Sequence, residues 1–96
     1  MTQNTKATPA EIHSAADRHR GSAETFRQAN RNVQNEVDGL LAVNKGDLMT
    51  KLDELQNEWS ENVNKVIGKL EEMAGYLDEV ANQIQAQDSQ GSSALR

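Results

Sequence analysis

The sequence predicts an all-α protein, an antiparallel helix-turn-helix hairpin, and three observations carry that prediction. Aromatic residues make up only 3% of the 96 residues and Pro9 is the single proline, which leaves little material for a sandwich or a barrel. A Thr-Pro-Ala-Glu run opens the first periodic segment. In the second segment, ten of eleven positions spaced alternately by three and four are apolar.

The first helix starts at a capping box. The Thr8 hydroxyl can accept from an orphan backbone N–H while Glu11 reaches back, and Pro9 suits the first helical position because its missing N–H is not needed there. From that start Ile12, Ala16, His19, Ala23, Phe26, Asn30, Val33, Val37 and Leu40 recur at alternating spacings of four and three, the a/d seam of a heptad repeat. Gly21 interrupts the segment at a cost of roughly 1 kcal/mol relative to alanine, so fraying or bending is expected before it. The helix is placed at about 9–43.

A four-residue tip comes next. In Asn44, Lys45, Gly46 and Asp47, the glycine can take a left-handed backbone conformation and the aspartate can cap the amides of a second helix. So short a link makes two antiparallel helices the expected arrangement.

The second helix, expected at about 48–87, carries the row Met49, Leu52, Gln56, Trp59, Val63, Val66, Leu70, Met73, Leu77, Val80 and Ile84. Flanking apolar residues widen this row on opposite sides in turn, with Leu48 and Leu55 early and Ile67, Ala74 and Ala81 late. That matches the ~20° drift per heptad of a straight helix. A face this wide can serve more than one neighbouring helix. Trp59, at mid-helix, is both a core residue and a candidate interface anchor.

Outside the hairpin, residues 1–7 are expected to be disordered. The polar, Gly/Ser-rich stretch 88–96 is expected to form a flexible tail, too poor in apolar side chains to offset the entropy of ordering.

Charge divides along the chain. Up to Asn32 there are five basic residues against three acids; from Val33 the balance is five against twelve, for a net charge of -5. Folding at the tip brings Arg18 and Arg20 toward Glu71, Glu72, Asp78 and Glu79, so the hairpin is complementary with itself. Each exposed pair is worth only about 0 to 1 kcal/mol, which selects register rather than supplying stability.

The same features exclude several function classes. Net negative charge disfavours nucleic acid as a partner, because such binding depends on Lys and Arg neutralising many phosphates. No stretch reaches the ~20 apolar residues of a membrane span, and the acidic polar faces do not suit a surface-bound amphipathic helix, so stable membrane insertion is not expected. The N-terminus lacks the apolar core of a secretory signal. With no cysteine there is no thiol nucleophile or zinc ligand. His13 and Asp17, one turn apart, make a poor metal site by themselves, and His19 is expected as a partly buried packing residue. Neighbouring carboxylates such as Asp53 with Glu54, or Glu71 with Glu72, point apart on a helix. No catalytic residues, cofactor or metal are assigned.

This layout resembles the WXG family of roughly hundred-residue substrates of type VII (ESX-type) secretion, the early-secreted-antigen-like and culture-filtrate-protein-like group, over about 8–88. Such proteins are helical hairpins with a Trp-x-Gly turn at the tip and a Tyr-x-x-x-Asp/Glu export signal ending the second helix. Here the turn reads Asn44, Lys45, Gly46, which keeps the glycine and loses the tryptophan. Ile84, Gln85, Ala86, Gln87 and Asp88 keep the spacing and the acid of the signal with isoleucine in place of tyrosine. Tyr76 has no acid four residues on.

The resemblance implies a non-enzymatic protein, made in the cytoplasm and secreted without a cleavable signal peptide. It implies pairing with a related WXG chain into a four-helix bundle, a heterodimer being favoured over a homodimer because the turn tryptophan is missing. The expected interface is Phe26, Val33, Leu52, Trp59, Val63, Val66, Leu70, Met73 and Leu77. The expected export signal is Ile84 and Asp88 with Leu95 of the tail, presented to the secretion system's membrane ATPase. An intracellular coiled-coil adaptor or scaffold with the same hairpin and no export role is the alternative.

Overall fold

The computed structural model describes residues 6–94, with side chains through Asp88. Two helices, α1 (Pro9–Val43) and α2 (Asp47–Ala94), lie antiparallel along each other. The molecule measures 76 × 26 × 15 Å, with a radius of gyration of 21.6 Å. A compact chain of this length would have a radius near ~13 Å. So elongated a hairpin encloses little and leaves most side chains at its surface.

α1 begins as its sequence dictates. The Glu11 N–H donates to Thr8 Oγ1 and the Thr8 N–H to Glu11 Oε1, both at 3.1 Å, which closes the capping box. The Thr8 backbone N–H, and after it the Thr8 hydroxyl, hold the Glu11 carboxyl below its ordinary range. The helix continues unbroken through Gly21, where fraying was expected. A glycine's cost of about 1 kcal/mol is too small to interrupt a helix held on both sides by packing.

At the tip, Asn44 caps α1 with both its backbone N–H and its side-chain amide, each donating to the Leu40 carbonyl at 3.0 Å. Gly46 has φ +111°, a conformation open to glycine and strained for other residues. Its carbonyl accepts from the N–H groups of Met49 and Thr50 at 3.1 Å, so Gly46 takes the capping position expected of Asp47. Asp47 is the first residue of α2, where its charge faces the positive end of the helix dipole.

α2 also runs further than its composition predicts. It continues to Ala94 instead of giving way to a tail at 88. Extending an existing helix adds one hydrogen bond for each residue fixed, and no proline stops it.

The core is a narrow line along the helix contact. Ala16, Ala23 and Val37 of α1 meet Val63, Ile67, Ala74 and Ala81 of α2, and Ala23, Val63 and Ile67 form a cluster against which Leu70 packs. Among the described residues no large side chain is fully enclosed, since two helices cover each other on one stripe only. One polar layer crosses the line: Gln56 Nε2 donates to Ser60 Oγ, and Ser60 Oγ to Asn30 Oδ1, both at 3.0 Å. Only the buried Gln56 would be costly there without a partner, and it has one.

Candidate functional site: an outward apolar face and the open end

On each helix the buried line is flanked by two rows of opposite character, as 100° per residue requires. On α1 the row His13, Arg20, Arg27 lies to one side of Ala16 and Ala23, and the row His19, Phe26, Val33, Leu40 to the other. On α2, Glu71 and Asp78 lie to one side of Ala74 and Ala81, while Trp59, Val66 and Met73 lie to the other. Because the helices are antiparallel, like rows meet on the same side. The hairpin therefore has one charged broad face and one apolar broad face.

The charged face is satisfied within the chain. His13 Nδ1 lies 2.6 Å from Asp78 Oδ1, Arg20 donates to the other Asp78 oxygen, and Arg27 donates to Glu71. Arg20 and Arg27 also reach Asp17 at 3.1 Å and Glu24 at 3.4 Å within α1. Arg20 thus finds the acidic neighbour expected of it, whereas Arg18 bonds to Ser14 at 3.3 Å instead. The Arg20 guanidinium, with His13 beside it, holds Asp78 below the usual carboxylate range. His13 is engaged by a carboxylate of the other helix, and among the described residues no group of three candidate ligands could hold a metal ion. His19 is half-buried on the other side, with Nδ1 2.8 Å from the Ala15 carbonyl.

The apolar face has no such satisfaction. Phe26 is 40% exposed, Trp59 44% and Val66 43%, and Leu40, Leu55, Met73 and Tyr76 are exposed with them. A groove of about 650 Å³ runs between the helices there, floored by Ala15, His19, Met73, Tyr76 and Leu77 and edged by Lys69, Glu72 and Glu79.

The expected interface residues divide accordingly. Phe26, Trp59, Val66 and Met73 face outward, and Val33, Leu52, Leu70 and Leu77 are half-buried at the boundary. Val63 is 4% exposed and lies inside the hairpin, because its row on α2 points at α1. Leu55 and Tyr76 are outward residues that the expected interface omitted. Their signal is a second row offset from the first, Leu55, Trp59, Asn62, Val66, Lys69, Met73, Tyr76 and Val80, which also alternates by four and three.

The remaining expected residues sit at the two ends. Asn44, Lys45 and Gly46 form the tip, where Asn44 is turned to capping its own helix. At the open end, Ile84 and Asp88 line a second cleft with the start of α1. Leu95 lies outside the described residues.

The fold and the site together define a two-helix hairpin with one face internally paired and the other apolar and exposed. The sequence matches, over residues 4–89, the family described as proteins of 100 residues with WXG, and the chain belongs to that family. Its members are small secreted substrates of type VII systems and are non-enzymatic. No curated protein matches the sequence. No helix among the described residues is long and apolar enough to cross a membrane.

Proposed function

We propose that this chain is exported by a type VII secretion system as one half of a two-chain, four-helix bundle, built on the apolar broad face. The observation that carries the reading is the outward row of Phe26, Leu55, Trp59, Val66, Met73 and Tyr76. Exposed apolar side chains gathered on one face mark an interaction site, and a Trp among them suits an anchor. A related WXG chain, offering the same two-row architecture, is the partner of matching shape. Heterodimer formation is favoured because Asn44 occupies the place of the turn tryptophan and bonds to its own helix, so that the partner supplies a complete turn. Ile84 and Asp88, with Leu95 beyond them, form the signal presented to the membrane ATPase.

Light scattering after size exclusion, combined with circular dichroism, tests the pairing on the purified chain alone and after co-expression with a related WXG chain. A stable complex of about twice the mass is expected on co-expression, with helicity above that of the lone chain. A helical monomer that ignores the related chain would overturn the pairing. Retention in the cytosol while the same system exports other substrates would assign the hairpin to a scaffold role instead.

A further inference from the structure

At the open end of the hairpin the start of α1 and the late turns of α2 share one cleft of about 550 Å³, walled by Lys6, Thr8, Pro9 and Ile12 on one side and by Ile84 and Asp88 on the other. We infer that the first turn of α1 is the second half of the export determinant, so that the receptor reads a two-helix surface and not a stretch of α2 alone. The inference rests on the reading of Ile84 and Asp88 as the signal.

Ile84 and Asp88 are one helical turn apart and so occupy the same side of α2. Pro9, Ile12 and Ile84 are each half-buried, which leaves part of their apolar surface turned to the cleft. Lys6 and Asp88 are exposed and opposite in charge. The occupant this chemistry fits is an apolar side chain of a receptor protein, inserted between Ile12 and Ile84 and flanked by a basic group toward Asp88 and an acidic group toward Lys6. The capping bonds between Thr8 and Glu11 fix the α1 wall.

Closure of the hairpin is then part of what is recognised. A five-residue segment holds no helical geometry by itself, because nucleating a helix is unfavourable. In an open chain the cleft loses its Pro9 and Ile12 wall. A receptor that needs both walls accepts folded substrate and rejects unfolded chain.

The test measures the secreted fraction, by immunoblot of culture filtrate against cell pellet, in cells with a working type VII system and the related partner chain. Ile12→Gln removes the apolar wall. Lys6→Glu reverses the charge at the rim on an exposed residue that precedes the helix. Ile12→Gln is expected to lower the secreted fraction about tenfold, the scale of losing one apolar contact from a recognition site, and Lys6→Glu about threefold, the scale of an exposed charge pair. Helicity and mass of the purified complex should be unchanged. The double variant Ile84→Gln with Asp88→Asn serves as reference. If that reference is blocked while either folded α1 variant is exported at the level of the unaltered chain, the inference is overturned and the signal reading stands. If the reference is itself exported normally, the signal reading falls and the inference with it. Should Ile12→Gln fail to fold, Lys6→Glu decides alone.

Discussion

The two broad faces of the hairpin are built on the same helices, one row to either side of the same buried line, and they solve opposite problems. The charged face closes on itself: Asp78 gathers His13 and Arg20, Glu71 takes Arg27, and each pair joins α1 to α2. Among the described residues the apolar face closes on nothing, and its aromatic side chains, Phe26, Trp59 and Tyr76, stay 40%, 44% and 65% exposed. The difference shows where stability has to come from. Exposed ion pairs choose the register in which two helices meet, while much of the apolar surface that could hold the hairpin firmly stays exposed. A thin core of alanine, valine and isoleucine beside an exposed apolar row is the arrangement that the proposed pairing would complete.

Two neighbouring valines break the comparison most sharply. Val63→Asp puts an unpaired charge into the line between the helices, where it costs roughly 3 to 5 kcal/mol. Loss of helicity in the lone chain and in the complex is the expected result. Val66→Asp, three residues on, places the same charge on the outward row. It should weaken pairing by about 2 to 4 kcal/mol, the range of a central interface residue, while the circular dichroism of the hairpin stays unchanged. Equal behaviour of the two variants in a paired dichroism and light-scattering experiment would erase the distinction between the faces.

Smaller effects sharpen it. Gly46→Ala forces a β-carbon into the positive-φ tip and should cost about 1 to 2 kcal/mol in thermal unfolding, with pairing affected only through hairpin stability. The smallest effect belongs to the charged face. Asp78 titrates lower in the folded chain than in the unfolded one, chiefly through Arg20 and then His13. Its contribution is therefore complete above the ordinary aspartate value of 3.8 and is lost as pH falls through the lowered folded value. Glu11, lowered by its bonds to Thr8, behaves in the same sense. Thermal melts of the unaltered chain should hold steady toward neutral pH and drop in strong acid, and Asp78→Asn should shrink that drop. Added salt should weaken this face and leave pairing through the apolar face intact.

Much of the fold was legible because its determinants are local. Thr8, Pro9 and Glu11 announce the start of α1 through bonds that span three residues, and Gly46 announces the tip because its conformation suits few other side chains. The end of α2 was not legible. Composition describes how few apolar side chains 88–94 carry, whereas the helix already formed before them supplies the hydrogen-bond partners that let it continue.

The site was legible as a set and not as a partition. Periodicity marked a wide apolar stripe on α2 and named Phe26, Trp59, Val66 and Met73, yet it could not separate Val63 from Val66 or promote Leu55 and Tyr76. A heptad row states that a helix has a packing face, and two overlapping rows offset by a fraction of a turn read in one dimension as a single broad one. What the sequence by itself determined is the pair of helices, their antiparallel link and the amount of apolar surface they carry, all of which come from spacing and capping. Which part of that surface is consumed by the hairpin and which stays exposed was decided only by the tertiary structure, because the rotation of α2 about its axis depends on where Ala16, Ala23 and Val37 of α1 let it settle.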